Sequence, residues 1–365
     1  MGNLIIFGGT FDPIHNGHLR LMMYASLKLN ADVVLVPAKS PRWKAPLTSS
    51  EHRLKMVKLA LKNAPSGTII SDFELKSKAD INYTIDTVRY LKKKYKNDKL
   101  YLLIGVDQVN RFSEWKNAEE LASLTRIIYI DRPGYKVDKK VVETYKMTSM
   151  EFYNSGEVSS TDVRELKSLD VPNEVLTYIE KHRLYFVNKI AMHIDEARLR
   201  HSIEVAHLAY LIAKKNQIDN PERAYIAGIL HDVGKSKDYI GVKGIEFMKK
   251  HYPSYLTLPP FSFHQFIGEY IARTEFDIKD ESILNAIKFH CTGNANMDEI
   301  AQIVYLSDKI EPTRGFDSSW LIASALKDYH QGFIDTLTDN KKYLLKHNKD
   351  ITNKLTDACF NMYLK

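Results

Sequence analysis

The 365-residue sequence predicts two domains of different class, a parallel α/β sheet domain over residues 1–188 and an all-α domain over residues 189–365. Three features carry that expectation. Short apolar runs alternate with helical patterns through the first half, which is how a parallel sheet covered by helices reads. Beyond Val187 strand-like runs become sparse and the spacing turns helical, as at Ile203, His207, Tyr210 and Leu211. The length also suits two domains of roughly 180 residues better than one core.

Taken in order, residues 4–7 form the first strand pattern and 19–29 a helical one. Residues 33–36 are a second strand and 53–61 a helix, and further strands are expected at 101–104 and 127–130. A helical stretch over 173–183 ends in Leu184-Tyr185-Phe186, which places the seam at 188–193. No internal repeat or low-complexity linker intervenes, so the domains are expected to join closely.

Composition narrows the function classes. Hydrophobic residues at 44% and charged residues at 27% are an ordinary globular balance. No apolar run reaches the roughly 18 to 20 residues needed to cross a bilayer, and the N-terminus enters a strand at once instead of a signal peptide. A cytoplasmic protein without a membrane partner is expected. Cys291 and Cys359 are far apart, which excludes a disulfide framework and suggests buried or half-buried thiols. The excess of 52 basic over 45 acidic residues gives +7. That suits polyphosphate ligands; nucleic acid is not expected, because the cluster Lys92, Lys93, Lys94, Lys96 and Lys99 lacks interleaved aromatic residues.

The first strand runs into Gly8-Gly9-Thr10-Phe11-Asp12-Pro13-Ile14-His15-Asn16-Gly17-His18, and a helix follows. Glycines after a strand let backbone amides approach phosphates, and the helix aims its positive end at them. The His-x-Gly-His spacing brings two imidazoles to the same place. This segment resembles the nucleotidyltransferase superfamily with a (His/Thr)-x-Gly-His motif, and more closely the bacterial nicotinate-mononucleotide adenylyltransferases. Asn82-Tyr83-Thr84-Ile85-Asp86-Thr87, Ile104-Gly105-Val106-Asp107 with Trp115, Arg132-Pro133-Gly134-Tyr135 and Val158-Ser159-Ser160-Thr161-Asp162-Val163-Arg164 extend the likeness over residues 1–187. So does the proline-and-basic loop 37–44, although Trp43 stands where the family has a histidine before Lys44. The segment between Arg164 and Val171 is shorter than usual. Pantetheine-phosphate adenylyltransferases usually have Thr at the position of His15, and glycerol-phosphate cytidylyltransferases differ around Pro13-Ile14.

The resemblance implies a Rossmann-like domain in which nicotinate mononucleotide attacks the α-phosphorus of ATP, releasing pyrophosphate, with Mg²⁺ accompanying the ATP. It implies catalytic roles for His15 and His18. Gly8, Gly9, Thr10, Phe11, Lys44, Gly105, Asp107, Arg132, Ser159, Thr161 and Arg164 are implied nucleotide contacts, and Thr84 and Trp115 contacts of the pyridine nucleotide. The choice between the acid and amide forms of the mononucleotide stays open.

In the second half His201, His231-Asp232, His264, His290 and Asp308 occupy separate helical patterns. Neutral imidazoles with ionised aspartates suit first-row divalent metals, and an adjacent His-Asp pair lets one carboxylate bridge two ions. Six ligands exceed the need of one tetrahedral ion. Two ions are expected, one at His201, His231, Asp232 and Asp308, the other at Asp232, His264 and His290. The ordered set resembles the HD superfamily of metal-dependent phosphohydrolases. The stretches 227–232, 286–293 and 303–312, with His264 followed by Gly268, resemble more closely the YqeK-type symmetrical diadenosine tetraphosphate hydrolases. Cys291 stands where that family often has threonine. The likeness runs from about Ile190 onward and implies an HD-domain helical bundle with iron, or alternatively manganese. Asp232 is then catalytic as well as a ligand, and Lys235 and Arg314 are candidate phosphate contacts. Two readings of this half remain beside the hydrolase: action on other nucleotides, and a nucleotide-sensing regulatory module. A homo-oligomer is left open.

Overall fold

The computed structural model describes residues 2–39, 46–79, 82–131, 136–152, 158–347 and 353–364. The chain divides into two compact units, Met1–Leu184 and Tyr185–Lys365.

The first unit runs β1 (Asn3–Gly9), α1 (Asn16–Leu29), β2 (Asp32–Pro37), α2 (Ser50–Ala60), β3 (Ile69–Ile70), α3 (Phe73–Lys76), α4 (Thr84–Lys94) and β4 (Lys99–Gly105). It continues with α5 (Val106–Val109), α6 (Ala118–Leu124), β5 (Arg126–Asp131), α7 (Lys139–Thr144), β6 (Thr148–Glu151), α8 (Ser160–Arg164) and α9 (Asn173–Lys181). The strands lie in the order β3-β2-β1-β4-β5-β6, and every pair is parallel. The chain therefore walks outward from β1 to β3, then returns to lay β4 on the other side of β1. That reversal opens a crevice at the carboxyl ends of β1 and β4, where doubly wound sheets bind ligands.

The four strands legible in the sequence are covered on both faces, which is why they read as unbroken apolar runs: Ile5, Ile6, Val33, Val34, Leu102 and Ile127 are all buried. The sequence reading missed β3 and β6. Both are edge strands; β3 is two residues long, and in β6 only Met150 is buried, so neither carries a periodic signal.

The second unit is helical: α10 (Phe186–His193), α11 (Glu196–Lys215), α12 (Glu222–Leu230), α13 (Val242–His251), α14 (Phe263–Thr274), α15 (Glu281–Phe289), α16 (Glu299–Ile310), α17 (Ser319–Lys327), α18 (Tyr329–Lys346) and α19 (Lys354–Tyr363). Every residue from Ile300 to Asp308 is buried. A helix apolar all round belongs at the centre of a core, and α11, α12, α15 and α18 pack around α16. Asp195, Asp280, Asp298 and Asp328 accept backbone hydrogen bonds as N-caps of α11, α15, α16 and α18, stops and starts that the sequence marks well.

The two compact units divide at 184/185, four residues before the expected 188/189 boundary. Residues 186–193 form α10, whose Phe186, Val187 and Ile190 are buried against α11 and the turn after α12, so the division falls at 184/185. Cys291 is half-buried and Cys359 buried, and burial pushes the Cys359 thiol up to about 12. Among the described residues no helix is long and apolar enough to cross a membrane.

Candidate active sites

In the first unit Phe7 pairs with Leu103 across β1 and β4, so Gly8 and Gly9 emerge from the sheet beside Ile104 and Gly105. His15 caps the α1 N-terminus and His18 lies in its first turn. The His15 backbone N–H donates to His18 Nδ1 at 3.2 Å, and the two rings stack with centroids 3.6 Å apart. With Nδ1 an acceptor, the His18 proton is assigned to Nε2, which can then donate to an anion. Gly17 permits this packing, since a Cβ there would lie 2.9 Å from His15 Nδ1.

Two cavities flank this helix start. One, of about 260 Å³, is lined by Thr10, Phe11, His18, Ser160, Thr161 and Arg164. Arg164 donates to the Asp12 carbonyl at 2.6 Å and to Thr161 Oγ1 at 2.7 Å, which fixes the guanidinium. The other, of about 250 Å³, is lined by Gly8, Gly9, Thr84, Gly105, Trp115 and Lys116, among others. Half-buried Trp115 packs on Phe112, ring centroids 5.2 Å apart.

Not every expected contact faces these cavities. His15 is buried beneath them. Ser159 caps α8, its hydroxyl donating to Asp162 at 2.6 Å, and Ser160 takes the lining position instead. Asp107 is exposed and accepts from Gln108 Nε2. Lys44 and Arg132 fall outside the described residues.

Two residues that support this site went unnoticed in the sequence. Arg53, fully buried, donates to the carbonyls of Thr48, Thr10 and Lys39 at 3.2, 2.6 and 3.1 Å and pins the loop after β1. Its one signal is position, because Arg53, Met56, Val57 and Ala60 share the inner face of α2. Asp170 clamps the start of α1, accepting from Asn16 Nδ2 at 3.0 Å and from both Arg20 terminal nitrogens at 3.1 and 2.6 Å. Nothing in the sequence marks it.

In the second unit five helices bring the six expected ligands together. His201 comes from α11, His231 and Asp232 from the end of α12, His264 from α14, His290 from the end of α15 and Asp308 from α16. Gly234 makes the approach to α14 possible: a Cβ there would lie 2.1 Å from the His264 carbonyl oxygen. Three of the four imidazoles are held alike. His231, His264 and His290 each bond through Nδ1, at 2.7 Å, to the carbonyl three residues earlier, those of Gly228, Phe261 and Ile287. His201 Nδ1 meets Glu311 Oε1 at 3.0 Å. These bonds assign the ring proton to Nδ1 and turn each Nε2 lone pair inward, the device by which proteins orient metal-binding histidines.

The inward atoms crowd one another. His264 and His290 Nε2 are 3.1 Å apart, and Asp232 Oδ1 lies 3.5 to 3.6 Å from the Nε2 atoms of His231, His264 and His290. Ligands about 2.1 Å from one ion and about 90° to 120° apart are separated by about 3.0 to 3.6 Å, so these spacings fit a cation among them. His231 Nε2 and Asp232 Oδ1 are buried with no hydrogen-bond partner, as metal-ligand atoms are before loading. Three overlapping groups could each hold an ion: His201, His231 and Asp232; His231, His290 and Asp308; Asp232, His264 and His290.

The electrostatics agree. Burial alone would raise the Asp232 carboxyl, but the neighbouring His231, His290 and Lys235 hold it well below the usual carboxylate range. Asp308 is likewise held down, against burial, by Lys309, His201 and His231. Burial, reinforced by His290, pushes His264 down to about 3, and burial also lowers His290. Both carboxylates are thus ionised and His264 and His290 neutral, the forms that ligate metal, whereas Asp232 and Asp308 raise the His231 imidazole against its burial. Lys235 bonds Asp232 Oδ2 at 2.8 Å, Lys309 bonds Asp308 Oδ2 at 2.7 Å, and Arg314 bonds Asp308 Oδ1. A cavity of about 650 Å³ opens onto His201 and Asp232, its wall formed largely by Arg198, Arg200, Lys235 and Arg314. Lys309 and Glu311 were not singled out in the sequence, although both lie within three residues of Asp308.

Residues 6–166 match the cytidylyltransferase-like family model, and residues 198–313 match the HD domain model. A Mycoplasma genitalium protein named "Probable nicotinate-nucleotide adenylyltransferase/Ap4A hydrolase" is 31% identical over 346 residues, covering 92% of this chain and 96% of the relative. The Bacillus subtilis nicotinate-nucleotide adenylyltransferase is 35% identical, covering 51% of this chain and 99% of its own. A solved Clostridium acetobutylicum structure, described as a "predicted HD superfamily hydrolase involved in NAD metabolism", aligns at 28% identity with a TM-score of 0.44, covering 48% of this chain and 94% of that one.

Proposed function

Because this chain belongs to the family of two-domain nicotinate-nucleotide adenylyltransferase/Ap4A hydrolases, we propose that it carries both activities, one in each unit. The first unit transfers the adenylyl group of ATP to nicotinate mononucleotide, giving deamido-NAD and pyrophosphate. No covalent enzyme intermediate is needed; positioning and charge stabilisation suffice. His18, Thr161 and Arg164, gathered in one cavity, hold the ATP phosphates and the charge that develops at the α-phosphorus. Beneath them His15 fixes His18 through its backbone N–H and ring stack. Gly8 and Gly9 let the mononucleotide approach the sheet end, where Thr84 and Trp115 receive the pyridine ring. Mg²⁺ carried with ATP screens its phosphates.

The second unit hydrolyses diadenosine tetraphosphate with one water to two molecules of ADP. His201, His231, Asp232 and Asp308 hold one divalent ion and Asp232, His264 and His290 a second, iron or alternatively manganese. Such ions supply Lewis acidity and generate a nucleophile from water at neutral pH. Lys235 and Arg314 present positive charge to the phosphate chain at the cavity wall.

The observation that carries this reading is the convergence of four Nε2 atoms and two ionised carboxylates from five helices on one centre. The test uses the purified full chain. Metal analysis is paired with product analysis after supplying diadenosine tetraphosphate, and separately ATP with nicotinate mononucleotide. ADP alone from the first and deamido-NAD from the second are expected. ATP plus AMP would overturn symmetrical cleavage, and binding without turnover by metal-replete protein would favour a sensor module.

A further inference from the structure

We propose that Lys116 selects the acid form of the pyridine mononucleotide over the amide form, by presenting an uncompensated charge, the one such charge among the described residues that line the cavity receiving the pyridine ring. This rests on the adenylyltransferase reading and adds a specificity residue to it. The two mononucleotides share ribose, phosphate and ring, and differ in a carboxylate against a neutral amide. A wall group that responds to that charge tells them apart.

Among the described residues, three charged side chains line the cavity together with Trp115 and Tyr83: Glu74, Glu114 and Lys116. Glu114 is neutralised by an ion pair with Arg111 at 3.1 Å. Glu74 accepts a hydrogen bond from Thr87 Oγ1 at 2.8 Å, and burial raises its carboxyl, so its negative charge is disfavoured. Lys116 differs from both. Its Nζ lies 4.1 Å from the centroid of the Tyr83 ring, and no carboxylate among the described residues pairs with it. The ring face holds the ammonium in place without cancelling its charge. Trp115, adjacent in sequence, sits on the same wall, so a ring stacked on the indole carries its substituent within reach of a cation. An acidic substituent is attracted there, whereas an amide gains little.

The test compares kcat/KM for nicotinate and nicotinamide mononucleotide, with saturating ATP, in the full chain and in its Lys116→Gln and Lys116→Arg variants. A charge-assisted contact at a half-open site corresponds to about a tenfold effect. Lys116→Gln is expected to lower kcat/KM for the acid about tenfold while leaving the amide within about twofold, and Lys116→Arg to retain the preference. Equal losses with both substrates would overturn the proposal, because a contact to the shared phosphate behaves that way. An unchanged ratio would overturn it too. If the unsubstituted chain turns over neither mononucleotide, the adenylyltransferase reading itself fails, a result distinct from either of these.

Discussion

The two units solve the problem of holding polyphosphates with different materials. In the first, the candidate site stands at the carboxyl ends of β1 and β4, where the glycines after β1 and the start of α1 meet side chains drawn from several loops. In the second, backbone serves mainly to aim side chains, as the carbonyls of Gly228, Phe261 and Ile287 do for three imidazoles. Backbone cradles spread their contribution over many amides. A side-chain centre concentrates it in a few atoms, so single substitutions are expected to damage the second site more than the first.

The largest effect is therefore expected at Asp232, whose Oδ1 faces three imidazoles. Asp232→Asn should reduce diadenosine tetraphosphate hydrolysis by at least about a thousandfold, beyond the roughly 10–100-fold typical of losing an outer partner of a metal ligand. Bound metal, measured by elemental analysis, should fall with it, while deamido-NAD formation stays within about twofold. A parallel loss of adenylyl transfer would break the picture of two independent sites. Next comes His18→Ala. Removing one preorganised donor typically costs about 10²–10³ in kcat, and the lower end is expected because Arg164 and Thr161 remain in the same cavity. Hydrolysis should not change. A His18→Ala loss matching that of Asp232→Asn would show the first site to be as concentrated as the second.

Glu311 sharpens the comparison from the other side. Its carboxylate accepts from Thr313 through both backbone N–H and hydroxyl and faces His201 Nδ1, so it aims a ligand without touching the centre. Glu311→Gln should weaken metal binding about tenfold, read by titrating metal against the stripped protein, and leave the helical content intact.

How much of this was legible in the sequence follows the same division. The candidate metal centre is made of residue types, so His201, His231, Asp232, His264, His290 and Asp308 could be picked out as candidate ligands, and the structure brings all six side chains together. The central strands and α16 announced themselves because burial on all sides leaves an unbroken apolar record. What escaped was made by geometry instead of composition. The edge strands β3 and β6 are too short or too polar to show a period. Ser159 and Ser160 are indistinguishable as letters, and only the cap formed with Asp162 decides which one faces the cavity. The division at 184/185 depends on which core Phe186 and Val187 enter, a tertiary choice that helical spacing does not encode.

Asp170 is the subtlest case, since it reaches across about 150 residues of sequence to fix the helix that carries His18. Burial would raise its carboxyl, but bonds from Arg20 and Asn16 hold it below the ordinary carboxylate value. A carboxyl whose folded pKa is depressed contributes stability that is fully present above its unfolded value, near 3.8, and is lost as pH falls through the folded value. Arg20 is substantially exposed, so the pair is worth only about 1 kcal/mol. Asp170→Asn should therefore speed amide hydrogen exchange in α1 by about fivefold at pH 7, relative to the unsubstituted chain at the same pH. The difference should shrink as pH falls below the unfolded value of 3.8 and close once the native carboxyl, held lower still, has taken up its proton. The absence of any difference at pH 7 would assign the positioning of α1 to the Asn16 backbone bond with the Asp170 carbonyl, at 2.8 Å, which the substitution leaves in place. In that event even the helix bearing His18 would be positioned by backbone, and the contrast with the side-chain centre of the second unit would be sharper still.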